Sequence, residues 1–185
     1  MGVKKRWEIA IAGEGGQGLV LAGQLLGEAA ALQDGKNAVQ TSAYGVASRG
    51  GFAKADVIIS EDEIAYPKVR RPDAVVALSQ EAYNRYKKTL EPGCILLYDS
   101  GAIQGGESAA KEYPYPLLEI AREAGGPRML NLVSLGALVA LTGAVSKEGM
   151  LRVLEGRFSK DGGKAAGVAF EAGFAVASSF GMMRQ

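Results

Sequence analysis

Histidine is absent from this 185-residue chain and cysteine occurs once. The first absence removes the commonest metal ligand and the commonest general base. The second means that Cys94 alone cannot build a disulfide, a structural zinc site or an all-protein iron–sulfur site within the chain. Cys94 opens the apolar run Cys94–Tyr98, where a buried core thiol is expected rather than a nucleophile. Charge of one sign is also lacking: 21 Lys plus Arg against 20 Asp plus Glu offer no electrostatic argument for nucleic acid or a membrane surface. The longest apolar stretch, Leu132–Val145, is too short to span a bilayer and is broken by Ser134, Gly136, Thr142 and Gly143. The basic start, Met1–Arg6, leads into a short apolar segment cut off by glycines, which does not make a signal peptide. A cytoplasmic protein with one domain over residues 1–185 is the expectation.

Glycine, in contrast, is abundant at 26 residues, and six of the positions around which the chain is organised read Gly13-Glu14-Gly15-Gly16-Gln17-Gly18. The apolar run Trp7–Ala12 precedes them, and Leu19–Leu26 follows with helical periodicity, so the unit reads strand, glycine turn, helix. Such a turn presents free backbone N–H groups at a helix N-terminus, where an anion such as a pyrophosphate is favoured. The pattern fits G-x-G-x-x-G, but the dinucleotide fingerprint also asks for an acidic residue about 20 residues on. The next apolar run, Ala38–Thr41, ends without one, which weighs against NAD. Leu19 and Val20 stand where a phosphate-binding P-loop needs Lys and Ser or Thr, which weighs against ATP or GTP hydrolysis. A plainer reading stays open, in which the glycines only let the strand and helix pack closely.

Further along, Ser42–Gly51 lacks periodicity and reads as an ordered loop, in which Arg49 between small residues either forks onto a phosphate or is solvated. Phe52–Ser60 carries Lys54 and Asp56 and reads as an edge or half-exposed strand. Asp73–Leu78 and Cys94–Tyr98 read as strands covered on both faces, with Ser79 capping the helix between them. Asp99 lies either where ligands bind in open parallel sheets or at an ordinary turn cap, and Tyr113–Pro116 reads as a rigid connection. Pro116 starts a helix over Leu117–Ala124, Asn131 caps a Gly/Ala-rich helix over Leu132–Val145, and Ser146 caps the next. The last helix, Gly163–Ser179, is made of Ala, Gly and Phe, fit to pack on the sheet or on a partner. The fold class is α/β: a three-layer α/β/α, Rossmann-like domain with a mostly parallel sheet and one antiparallel edge strand.

Taken together, the loop Gly13-x-Gly15-Gly16-Gln17-Gly18, the segment Ser48-Arg49-Gly50-Gly51 about 30 residues later, Asn131 with Gly136, and Ala169-Phe170-x-x-Gly173 resemble the gamma subunit of 2-oxoacid:ferredoxin oxidoreductases. The resemblance runs over nearly the whole chain. It implies oxidative decarboxylation of a 2-oxoacid to an acyl-CoA, with thiamine diphosphate activating the oxoacid and iron–sulfur clusters carrying electrons to ferredoxin. Thiamine diphosphate, magnesium and the clusters are then expected on partner chains: thiamine-binding, oxoacid-binding and ferredoxin-like subunits. This chain is expected to contribute no catalytic residue and no metal ligand, only assembly and a wall for coenzyme A, with phosphates near Gly13, Gly15, Gly16, Gln17 and Gly18 and with Ser48, Arg49, Gly50 and Gly51 beside them. A stand-alone nucleotide-binding or regulatory module, and a structural spacer, remain as alternatives.

Overall fold

The structure, a computed structural model, describes residues 4–45 and 51–182. Strand β1 (Arg6–Glu14) ends in the glycine turn, and α1 (Leu19–Glu28) follows, running on into a wider π turn at Ala29–Gln33. Then come β2 (Asn37–Tyr44), β3 (Phe52–Ser60), β4 (Ala74–Ala77), α2 (Gln80–Tyr86), β5 (Ile95–Asp99) and β6 (Lys111–Tyr115). Helices α3 (Leu117–Glu123), α4 (Leu130–Thr142), α5 (Lys147–Arg157) and α6 (Lys160–Met182) complete the chain, with a 3₁₀ turn at Pro127–Met129 leading into α4.

The six strands form one sheet in the order β2-β3-β1-β4-β5-β6. β1, β4, β5 and β6 pair in parallel, whereas β3 pairs antiparallel with both β1 and β2. The sheet is thus mostly parallel with an antiparallel pair at one edge, and the reversed strand is the inner member of that pair. This corrects the reading of Phe52–Ser60 as an edge or half-exposed strand. From Ala55 to Ser60 every residue of β3 is buried, because β1 and β2 pair with it on both sides, and Asp56 Oδ2 meets Lys54 in a 2.5 Å ion pair. The edge is instead β2, longer than expected because Ser42–Tyr44 extend the strand rather than opening a loop. Tyr113–Tyr115 likewise belong to a strand rather than a connection, which Pro114 permits because β6 is the opposite edge.

One face of the sheet carries the larger core, built by α1, α3, α4 and α5, with α6 lying along α4. Ala10, Ala12, Val75, Ala77 and Leu96 on the other face pack with Tyr83 of α2 and with Ile103 and Ala110 of the following loop. The Tyr83 ring meets Tyr98 edge-on at 4.9 Å, and both hydroxyls donate to Glu112, at 2.7 and 3.1 Å. Desolvation leads the forces that push the Tyr98 phenol up to about 12.

The α4–α6 crossing explains why both helices are rich in small residues. A Cβ at Gly136 would land on the carbonyl oxygen of Phe170, and one at Gly173 on that of Val133. The helices therefore touch backbone to backbone. Ser79 and Ser146 cap α2 and α5, accepting from Ala82 N–H at 3.2 Å and Gly149 N–H at 3.0 Å. Gly143, left-handed at φ 60°, ends α4 three residues earlier than the sequence pattern suggests. Asn131 lies inside the first turn of α4 instead of capping it, since the helix begins at Leu130.

Candidate functional site

The glycine turn lies at the C-terminal end of β1, between β4, whose chain leaves for one face of the sheet, and the antiparallel pair on the other side. Open α/β sheets bind ligands at such a switch in strand order. Two glycines of the turn have backbone that L side chains rarely adopt: Gly16 at φ +98° and Gly18 at φ +74°. Nothing lies within 4 Å of where a Cβ on Gly16 would sit, so Gly16 faces open space. Leu19, Val20 and Leu21 form the first turn of α1, where helix geometry leaves backbone N–H groups without intrahelical acceptors.

Two buried or half-buried amides hold the turn in shape. Gln17 folds back so that its Oε1 accepts the Glu14 N–H at 2.7 Å and its Nε2 donates to the Leu78 carbonyl at 2.9 Å, tying the end of β1 to the end of β4. Gly13 makes this possible, because a Cβ there would collide with the Gln17 side chain. At the far end, Asn131 is 5 % exposed and donates from Nδ2 to the Gly18 carbonyl at 3.3 Å, across 113 positions of sequence. A Cβ on Gly18 would approach that nitrogen to 2.5 Å. Of the expected site residues, Gly13 faces inward as a support, Gln17 braces the turn while also bordering the larger cleft, and Gly15, Gly16 and Gly18 line open clefts.

The two glycine segments meet. Gly15 N–H donates to the Gly51 carbonyl at 3.0 Å, so Gly51, the residue preceding β3, lies against the turn. Ser48, Arg49 and Gly50 lie outside the described residues. Next to Gly51, the Phe52 ring is covered by the Arg85 guanidinium at 4.2 Å, which fastens the start of β3 to α2. Further along β3, burial raises the Asp56 carboxyl above its ordinary value, with the Lys54 hydrogen bond and charge acting against it.

The turn is a ridge between two clefts. A smaller one of about 280 Å³ runs along Glu14, Leu19–Leu21, Ala53 and Tyr44, whose ring is 69 % exposed. A larger one of about 560 Å³ lies on the other side, walled by Leu118, Pro127, Leu130 and Asn131, with Arg128 at its surface. Tyr44 and Arg128 were not marked by any sequence motif. The only signal for Arg128 is its place three residues before Asn131, just after the break at Gly125-Gly126-Pro127. Asp99 takes the other role open to it: its Oδ1 accepts the Leu118 N–H at 3.1 Å and caps α3. Among the described residues no cluster of three or more His, Cys, Asp or Glu is placed to hold a metal, and no helix is long and apolar enough to cross a membrane.

Fold and site thus define a Rossmann-like α/β domain with a glycine turn braced at the switch point of its sheet. Residues 8–176 match the family described as pyruvate ferredoxin/flavodoxin oxidoreductase. A 2-oxoglutarate synthase subunit KorC from Methanocaldococcus jannaschii is 42% identical over 179 residues, covering 95% of this chain and 96% of the relative. The keto/oxoacid ferredoxin oxidoreductase gamma subunit from Geobacter sulfurreducens superposes with a TM-score of 0.83 at 38% identity, over 94% of this chain and 99% of that one. The 2-oxoglutarate:ferredoxin oxidoreductase of Magnetococcus marinus, solved with 2-oxoglutarate, coenzyme A and succinyl-CoA bound, superposes with a TM-score of 0.87 at 28% identity. There 95% of this chain corresponds to 32% of a longer one. The chain belongs to the pyruvate ferredoxin/flavodoxin oxidoreductase family, in which it is a gamma-type subunit of a heteromeric 2-oxoacid:ferredoxin oxidoreductase.

Proposed function

We propose that this subunit supplies part of the coenzyme A site of its complex, with the glycine turn from Gly13 to Gly18 holding the pyrophosphate and the Ser48–Gly51 segment closing beside it. The observation that carries this reading is the Gly15 N–H bond to the Gly51 carbonyl, which brings the last residue of the second glycine segment against the turn. Gly16 is open to solvent with nothing to obstruct an approaching phosphate, and the first-turn amides of α1 point to the same place. The clefts on either side, about 280 and 560 Å³, are of the size that takes a drug-sized ligand between them. Coenzyme A supplies the thiol that collects the acyl group. The chain's own residues bind and orient it: Gln17 and Asn131 fix the turn, and Gly16 and Gly18 let the ligand reach the backbone.

In this reading the partner subunits hold the thiamine diphosphate and magnesium, and also the iron–sulfur clusters, for which the single cysteine of this chain leaves too few thiolate ligands. Among the 2-oxoacids of the family, the identity with KorC and the ligands bound in the Magnetococcus enzyme favour 2-oxoglutarate over pyruvate and ketoisovalerate, whose subunits match at 31% and 38% identity. In the same reading ferredoxin is the acceptor, as the family's description implies, and the complex works in the cytoplasm.

The test is Gly16→Val in the reconstituted complex, with the isolated chain as a control that shows no oxoacid-dependent viologen reduction. A side chain at Gly16 enters open space, so folding has the positive-φ backbone at φ +98° to absorb, about 1–3 kcal/mol. The KM for CoA is expected to rise at least tenfold while the KM for 2-oxoglutarate stays put. An unchanged KM for CoA refutes the assignment.

A further inference from the structure

The two edges of the sheet are built differently. β6 carries Lys111, Glu112 and Pro114, the charges and the missing N–H by which proteins keep a free edge from pairing with another chain. β2, at the other edge, reads Asn-Ala-Val-Gln-Thr-Ser-Ala-Tyr, with no charge, proline or glycine and no break in its register with β3. Gly45 N–H donates to the Phe52 carbonyl at 2.7 Å. By the alternation of an antiparallel pair, Asn37, Val39, Thr41 and Ala43 then bond toward β3, and Ala38, Gln40, Ser42 and Tyr44 turn their N–H and C=O groups outward. Among the described residues no main-chain group meets them. Leu32, in the π turn that leads into β2, and Tyr44, at its far end, are the two most exposed large apolar side chains among the described residues.

We propose that β2 is a seam between two copies of this chain, joined antiparallel about a two-fold axis at Thr41. The outward groups set the register. With Thr41 opposite Thr41 of the copy, Ala38 faces Tyr44 and Gln40 faces Ser42, so all four outward residues are paired, by about eight main-chain hydrogen bonds at two to a pair. Moving the axis one residue either way leaves Ala38 or Tyr44 without a partner in the strand. Side chains match in the same register. Ala38, Gln40, Ser42 and Tyr44 share the face on which α1 lies, where Gln40 donates to the Val20 carbonyl at 3.0 Å and Ala38 sits against Gly27. Tyr44 of the copy comes down on Ala38 beside Leu32, so the exposed apolar side chains cover each other. On the opposite face Thr41 meets Thr41 and Val39 meets Ala43, pairs without charge. α1 packs chiefly on β3, so its two copies stand about 14 Å apart across the seam, three strand spacings, which clears the helix contact distance of about 8–10 Å and admits the tyrosines. A net charge of +1 adds little repulsion between copies. Nothing in the seam depends on what the glycine turn binds.

Sedimentation equilibrium of the full chain, with cysteine cross-linking in the full chain and in the assembled complex, tests the seam. The wild-type chain is expected to be a dimer. Ser42→Pro removes an outward N–H without touching a bond to β3, and should weaken the dimer at least about tenfold at an unchanged circular dichroism spectrum, because each copy loses a bond. In a Cys94→Ser background, Thr41→Cys should oxidise to a covalent dimer of this subunit, since facing residues of a wide pair have Cα atoms about 4.5 Å apart. Val39→Cys, about 14 Å from its own copy, should not. A chain that stays monomeric, or a Val39→Cys cross-link as strong as that of Thr41→Cys, overturns the seam. So does a Thr41→Cys that stays unlinked in the complex or is joined there to a different subunit, the last showing that a partner subunit's strand takes the edge.

Discussion

Gln17 uses both ends of its amide inside the protein, accepting from Glu14 and donating to Leu78, so its side chain shapes the turn at the border of the larger cleft. Each of these bonds contributes about 0.5–1.5 kcal/mol net. Gln17→Ala is therefore expected to leave kcat at saturating CoA close to wild type while raising the KM for CoA about tenfold, since a turn held loosely must be ordered by the ligand. Steady-state kinetics on the complex would show this, and an unchanged KM would mean that the glycines keep the turn in shape unaided. Asp56 offers a second test at this scale. Burial raises its carboxyl above the ordinary value, so the native protein holds that proton more tightly than the unfolded chain does. The contribution to stability is then most favourable below the ordinary carboxylate range and is lost as pH climbs through the raised value. Asp56→Asn removes the charge yet keeps an acceptor for Lys54. Its Tm should exceed that of the parent at pH 7, with the gap closing toward about pH 4. A variant less stable at pH 7 would show that the Lys54 pair outweighs the burial.

Among the elements, the crossing of α4 and α6 is the most tightly specified. Gly173→Ala would drive a methyl group into the Val133 carbonyl, and overpacking of this kind costs about 1–3 kcal/mol. A lower urea midpoint at unchanged slope is the expected result, and an unaltered midpoint would show that the helices can part without cost. The close crossing was legible in the Gly and Ala content of both segments, as were the serine caps at Ser79 and Ser146, because these depend on local chemistry. β3 was not legible in the same way. Lys54 and Asp56 made it look like a solvated edge, whereas it lies between β1 and β2 with those two side chains paired to each other. A sequence pattern records each charge but not its partner.

For the molecule as a whole, the same distinction separates what the chain reveals from what it hides. The order strand, glycine turn, helix could be read directly from Trp7–Leu26, and the α/β class followed from the alternation after it. The clefts could not, since Arg128 and Tyr44 reach the turn from segments more than 80 residues apart and carry no motif of their own. Asn131 is intermediate: its importance was visible, but its bond to Gly18 spans 113 positions and only the folded chain brings the two together. That bond gives α4 a mechanical character. The helix is pinned at its start to the glycine turn through Asn131 and, a turn or so later, pressed at Val133 and Gly136 against the backbone of α6. It is in effect a short lever with its fulcrum at the glycine crossing, so that a push on α6 is delivered to the loop proposed above to hold the ligand's phosphates.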